Sequence, residues 1–195
     1  VAIRNATLFL NNAVNQSAAV ALNATPQVFT VFGLPQGAYS WKVQTCDWTG
    51  NCLNTSALDL NIDSIGPSAA LANPVDALNA TAVSVLSATI ADNFALRNAT
   101  LYIVNSSGVW QANETNVTLT NNTLVTFTLG LADQRNYTWN VRTCDASNNC
   151  AFAAANRTFT IDAAAPSVSS SAPVQGYNSS NATIDFTFTA SDGVA

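Results

Sequence analysis

Most of this chain is written twice, and that repetition limits its possible folds more than any other feature. Arg4-Asn-Ala-Thr-Leu-Phe-Leu10 returns as Arg97-Asn-Ala-Thr-Leu-Tyr-Ile103, and Tyr39-Ser-Trp-Lys-Val-Gln-Thr-Cys46 as Tyr137-Thr-Trp-Asn-Val-Arg-Thr-Cys144. Asn61-Ile-Asp63 with Pro67 and Pro74 returns as Thr160-Ile-Asp162 with Pro166 and Pro173. The offset grows from 93 at the first pair to 98 at the second, and to 100 at Asp92 and Asp192. The extra residues of the second copy fall between Thr100 and Phe127, where a loop or edge strand absorbs them. A repeat of about a hundred residues is the size of one small sandwich domain.

Within a repeat, strand signals come every 8–12 residues or so, the rhythm of an all-β sandwich. Strands are expected at 68–72 (A), 82–91 (B), 99–104 (C), 109–112, 124–129 (E), 137–144 (F) and 151–161 (G). In F, Tyr137, Trp139 and Val141 should face a core, and Thr138, Asn140 and Arg142 the solvent. Ile184-Asp-Phe186-Thr-Phe188 alternates in the same way. Only 9% of residues are charged, so polarity comes from Asn, Ser and Thr, which favour strands and turns over helices.

The four cysteines form two copies of one spacing, Cys46 to Cys52 and Cys144 to Cys150, each around an Asp…Asn turn. Two thiols without a histidine make a poor metal site, and a disulfide across a hairpin tip is the better reading. Disulfides persist in oxidising compartments, which places the protein outside the cell or on its surface. N-x-S/T sequons point the same way. There are 14, with acceptors Asn5, Asn15, Asn23, Asn54, Asn79, Asn98, Asn105, Asn113, Asn116, Asn121, Asn136, Asn156, Asn178 and Asn181. With this Asn, Ser and Thr content, chance adjacency yields only about five. Strands adjoining turns account for part of the excess. N-glycosylation at several sites is expected, and its glycans would compensate for a surface poor in charge.

Other functions are disfavoured. The chain has no His, so His-based triads and His-ligated metals are excluded. Six scattered basic residues against 11 acidic ones leave no stripe to meet a phosphate backbone, so nucleic acid is not an expected partner. No apolar run is long enough to span a bilayer as a helix. The acidic residues recur once per repeat at strand ends, as structural positions do, and no enzymatic activity is expected. One linker Asp (Asp63 or Asp162) with Asp92 and main-chain carbonyls could begin a calcium site, but without a DxD or EF-hand run solvated turn carboxylates are the default, and no cofactor is expected. Trp48 and Trp110 are candidates for stacking on surface glycans.

Gly-Leu-Ala-Asp-Gln-Arg-Asn-Tyr137-Thr-Trp139 resembles the E–F corner of immunoglobulin-like and fibronectin-type domains, which implies a tyrosine corner at Tyr137 and a core position for Trp139 and its counterpart Trp41. The antibody inter-sheet disulfide is missing. The pattern Y-x-W-x-V-x-x-C-D-x-x-x-N-C, followed by I-D-x-x-x-P, resembles the tandem immunoglobulin-like repeats of archaeal and bacterial surface proteins. Repeat style and sequon density lean towards an archaeal source. The likeness covers nearly the whole chain and implies architecture and location, while such domains serve many functions.

The expected fold is all-β: tandem immunoglobulin-like antiparallel sandwiches, one complete and one split between the two chain ends. Residues 1–65 supply strands C to G of an incomplete domain, 66–165 a complete one, and 166–195 the A and B strands of a further one. Val194-Ala195 align with Val1-Ala2. The expectation is a structural subunit of an extracellular filament, a head-to-tail homopolymer in which Ile184, Phe186 and Phe188 form the inter-subunit strand. The alternative is an excerpt of a longer array, a stalk or carbohydrate-binding segment of a large surface adhesin.

Overall fold

The computed structural model describes residues 2–20, 25–104, 108–132 and 135–193. Sixteen strands and no helix lie among them. They fall into two compact units, Val1–Ser64 and Ile65–Ala195.

The second unit contains a closed sandwich. One sheet is β6 (Ser68–Asn73), β8 (Val85–Ala91) and β11 (Thr123–Thr128), with β8 in the middle; β7 (Leu78–Ala80) lies between them in sequence and joins the other sheet. That sheet runs β10 (Trp110–Asn116), β9 (Leu96–Val104), β12 (Arg135–Asp145), β14 (Arg157–Ile161) and β7, with β13 (Cys150–Phe152) also on β12. Alternation supplies the core. Leu86, Ala88 and Ile90 of β8 meet Ala99, Leu101, Ile103, Trp139 and Val141 of β9 and β12, with Phe127 and Phe159 beside them. Trp139, Leu101, Val141 and Leu86 are 0% exposed. Burying side chains of this size is worth about 1.5–3 kcal/mol each.

Three sequence expectations change here. Strand β7 was not anticipated: after Pro74 the chain leaves one sheet and pairs in parallel with β14, Leu78 opposite Phe159. Arg157 secures the crossing by donating to the carbonyls of Ala72 (2.8 Å) and Pro74 (3.1 Å). Strand G is two strands, β13 and β14, interrupted at 153–156. Asn140, expected on the wet face of F, is 4% exposed.

The first unit repeats one of these sheets. Its order is β2 (Ala13–Ala19), β1 (Ile3–Leu10), β3 (Gly37–Asp47) and β4 (Cys52–Asn54), with β5 (Leu58–Ile62) also on β3. The registers correspond: Trp41 faces Leu10 as Trp139 faces Ile103. Asn11 and Asn12, both at positive φ (48° and 63°), make the two-residue turn between β1 and β2. This is the type I′ pattern that asparagine tolerates. In the second unit five residues of sequence separate β9 from β10, which accounts for part of the drift in repeat offset. No strand corresponding to β6, β8 or β11 lies among the described residues of the first unit; 25–36 run as coil.

Finally, β15 (Ser167–Ala172) and β16 (Thr187–Ser191) form a two-stranded sheet of their own. They repeat β6 and β8, down to the cis bond before Pro173 that matches the one before Pro74. Of the three residues expected to form an inter-subunit strand, only Phe188 lies in β16; Ile184 and Phe186 precede it.

Candidate functional site

Two disulfides pin the repeat's hairpin tips, Cys46–Cys52 and Cys144–Cys150. Each tip is organised by the aspartate that follows the first cysteine. Asp47 Oδ1 accepts from the backbone N–H groups of Thr49 (2.8 Å) and Asn51 (2.9 Å), and Oδ2 from Asn51 Nδ2 (2.9 Å). The Thr49 hydroxyl also donates to Oδ1 (2.7 Å), and these bonds, first those from the Asn51 and Thr49 side chains, hold the Asp47 carboxyl well below the usual carboxylate range. Asp145 makes the same two contacts to Asn149, both at 2.8 Å. The turn needs a left-handed residue, supplied by Gly50 (φ 90°) in one copy and Asn148 (φ 70°) in the other.

The tyrosine corners implied by the resemblance are present in both copies. Tyr137 donates to the Ala132 carbonyl (3.0 Å) and accepts from its N–H (2.9 Å), while Tyr39 donates to the Pro35 carbonyl (2.8 Å). Asp92 Oδ2 accepts from the Phe94 N–H (2.9 Å), and Asp145 is wholly buried. Calcium asks for six to eight oxygens, and these two carboxylates could only begin such a set within this unit.

The feature that separates the copies is an apolar groove in the first unit. Leu8 and Leu10 of β1, Trp41 and Val43 of β3, and Leu60 of β5 line about 440 Å³ of open space, closed on one side by Phe29, Val31 and Leu34 of the coil. Their counterparts in the second unit are Leu101, Ile103, Trp139, Val141 and Phe159, all buried beneath β8 and β6. Leu60 is 36% exposed where Phe159 is 1% exposed. On the β15–β16 hairpin the apolar residues are also uncovered: Val168 is 72% exposed, Phe186 78% and Phe188 67%.

The sequon asparagines scatter over both units. Asn15, Asn54, Asn79, Asn113, Asn121, Asn136, Asn156, Asn178 and Asn181 are exposed; Asn5, Asn98 and Asn116 are half-buried. Asn23 and Asn105 lie outside the described residues, as do the end residues Val1, Val194 and Ala195. Trp48 stands out on its hairpin tip at 69% exposure. Trp110 instead lines a cleft of about 480 Å³ with Tyr102, Asn140, Phe152, Ala153 and Asn156, a site that sequence reasoning missed.

Fold and geometry define an all-β chain of repeated immunoglobulin-like units, the second closed into a sandwich, with disulfide-pinned hairpins suited to an oxidising compartment. No protein-family model and no curated protein matches the chain. Among solved structures, it is similar to fibronectin(III)-like modules of Clostridium thermocellum CbhA (12% identity, 83% of this chain, 79% of that one, TM-score 0.44). It is similar also to a tetra-tandem repeat in the extending region of a large adhesion protein (17% identity, TM-score 0.47), covering 88% of this chain and 45% of that one. A third likeness, to CopC of Methylosinus trichosporium OB3b, covers 48% of this chain (12% identity, 93% of that one, TM-score 0.35). Likenesses this distant carry no argument about activity or partners. No helix among the described residues is long and apolar enough to cross a membrane.

Proposed function

We propose that this chain is a non-enzymatic structural segment of an extracellular fibre. In this reading the β15–β16 hairpin of one copy covers the open face of the first unit of the next. The observation that carries it is the groove around Trp41, Val43 and Leu60, set against the same positions buried under β8 and β6 in the second unit. The hairpin repeats the strands that do the covering there, and its Phe188 and Val168 are exposed. Such a contact joins different surfaces on the two partners, so repetition yields an open string unless it closes into a ring. Each phenylalanine buried adds about 1.5–3 kcal/mol to the junction. Glycans on the exposed sequons would keep the fibre soluble.

Sedimentation velocity of the whole chain over a range of concentrations tests this. A ladder of oligomers is expected, and it should collapse to the monomer in Phe188→Asp, whose circular dichroism should match the parent because Phe188 is 67% exposed in the single copy. A parent chain that stays monomeric at every concentration contradicts the reading.

A second reading is favoured by how closely β15 and β16 reproduce β6 and β8. In it, the covering strands arrive through the backbone of a longer tandem array, a stalk or adhesin segment. The intact mass of native, deglycosylated protein separates the two: about 20.4 kDa favours assembly of copies, and a mass several-fold larger favours the covalent array.

A further inference from the structure

On the outer face of the second unit, away from the sandwich core, three aromatic side chains come together. Tyr102 and Phe152 meet edge to face at 5.0 Å between ring centres, and Trp110, 41% exposed, completes a cleft of about 480 Å³. Beneath them lies Asn140, buried on a strand position that alternation assigns to solvent. Its carboxamide is fully engaged. Oδ1 accepts from the N–H groups of Val141 (2.6 Å) and Ala153 (3.1 Å); Nδ2 donates to the Ala153 carbonyl (3.2 Å) and to Asn156 Oδ1 (2.7 Å). Asn156 is thereby held by its oxygen at the rim of the cleft, and its own Nδ2 makes no bond to the protein among the described residues. Asn156-Arg157-Thr158 is a sequon.

We infer that this cleft seats a pyranose ring, the first sugar of an N-linked glycan carried on Asn156. Aromatic faces are electron-rich and attract partial positive charge. The axial C–H groups of a pyranose carry such charge over a flat surface of matching size. In the transfer, a bond forms between Nδ2 and the sugar's anomeric carbon while the bond from that carbon to the phosphate of a lipid-linked sugar donor breaks. The amide loses one proton, and the lipid phosphate leaves. The oxygen that Asn140 anchors takes no part and is free to set the direction in which the sugar departs.

The first unit shows that the arrangement belongs to one copy. There the registers place Phe9 at the position of Tyr102, Lys42 at that of Asn140 and Asn54 at that of Phe152. Lys42 sits over the Phe9 ring, 5.5 Å from its centre. Asn79 and Asn136 line a different cleft of about 400 Å³ with Tyr137 and Phe159, whereas Asn156 shares its cleft with three aromatic side chains and is held there through Asn140.

The test is to express the chain in cells that N-glycosylate and in cells that do not. Glycopeptide mass spectrometry should find Asn156 occupied. In NMR spectra the ring protons of its first sugar should be shifted upfield by the aromatic ring currents. Trp110→Ala should abolish that shift without lowering occupancy, and Phe152→Ala provides a second variant if the first misfolds. Added N,N′-diacetylchitobiose should perturb the cleft residues only in the unglycosylated protein. A bare Asn156 beside other occupied sequons would overturn the inference, as would an occupied Asn156 with unshifted sugar protons. Perturbation of the cleft by the free disaccharide in the glycosylated protein would instead make it a site for external saccharides. Because cleft and sequon lie within the second unit, none of these outcomes depends on what covers the first.

Discussion

The two units carry nearly the same inner residues and differ in what lies over them. Trp41 and Trp139 occupy one strand position, follow the same corner tyrosine and precede the same disulfide tip, yet Trp139 is completely buried and Trp41 is half-buried beside an open groove. The residues that make a sandwich face apolar are therefore not those that close it. Closure comes from β8 and β6 on the far side, and a sheet like that of the first unit presents an unsatisfied apolar surface until such strands arrive.

The sharpest way to break this comparison is to remove the tryptophan from each copy. Trp139→Ala should cost about 3–5 kcal/mol, since it opens a cavity in a closed core. Trp41→Ala should cost distinctly less in the uncovered chain, because the groove already admits solvent. Urea denaturation followed by a probe in each unit measures both, and equal losses would mean that the first unit is closed in solution.

Next come the disulfides, where the copies should agree. Replacing Cys46 and Cys52 by serine, or Cys144 and Cys150, should each cost about 2 kcal/mol in the chain-entropy account of a short loop. Thermal denaturation of each double variant reads this. A much larger loss in one copy would show that its tip supports more than its own hairpin.

The corners should also agree, at a smaller scale. Tyr137→Phe and Tyr39→Phe each remove a hydroxyl bond to backbone and should cost about 1 kcal/mol.

The smallest expected effect is at the first tip in acid. An unfolded aspartate takes up its proton near pH 4, at about 3.9. The Asp47 carboxyl is held below that range, so its contribution is complete above about pH 4 and is lost as the pH falls towards its folded value. Asp47→Asn should flatten this acid limb in a stability-against-pH profile. An unchanged limb would assign the loss to other groups.

Much of this was legible in the sequence. The repeat, the strand rhythm, the cysteine pairing across an Asp…Asn turn and the tyrosine corners are local patterns, and all appear in the structure. What escaped depends on contacts between distant segments. Strand β7 is three residues long and owes its existence to pairing with β14, some eighty residues on, so no periodicity announces it. Asn140 reads as a solvent position because alternation sees only its own strand; Phe152 and Ala153, arriving from β13 and the bend after it, cover it. Phe186 continues the apolar alternation of Phe188, yet hydrogen bonding to β15 begins only at Thr187. The cleft beneath Trp110 needs four strands to assemble and has no single motif.

The central claim is that a hairpin of the β15–β16 kind covers the groove of the first unit, and a thiol placed in that groove tests it most directly. In Leu60→Cys, with both disulfides intact, the alkylation rate should be that of an accessible thiol in dilute protein. It should fall steeply when a synthetic peptide spanning residues 167–191 is added, and a peptide carrying Phe188→Asp should give no protection. An alkylation rate that ignores the parent peptide at saturating concentration would contradict the account.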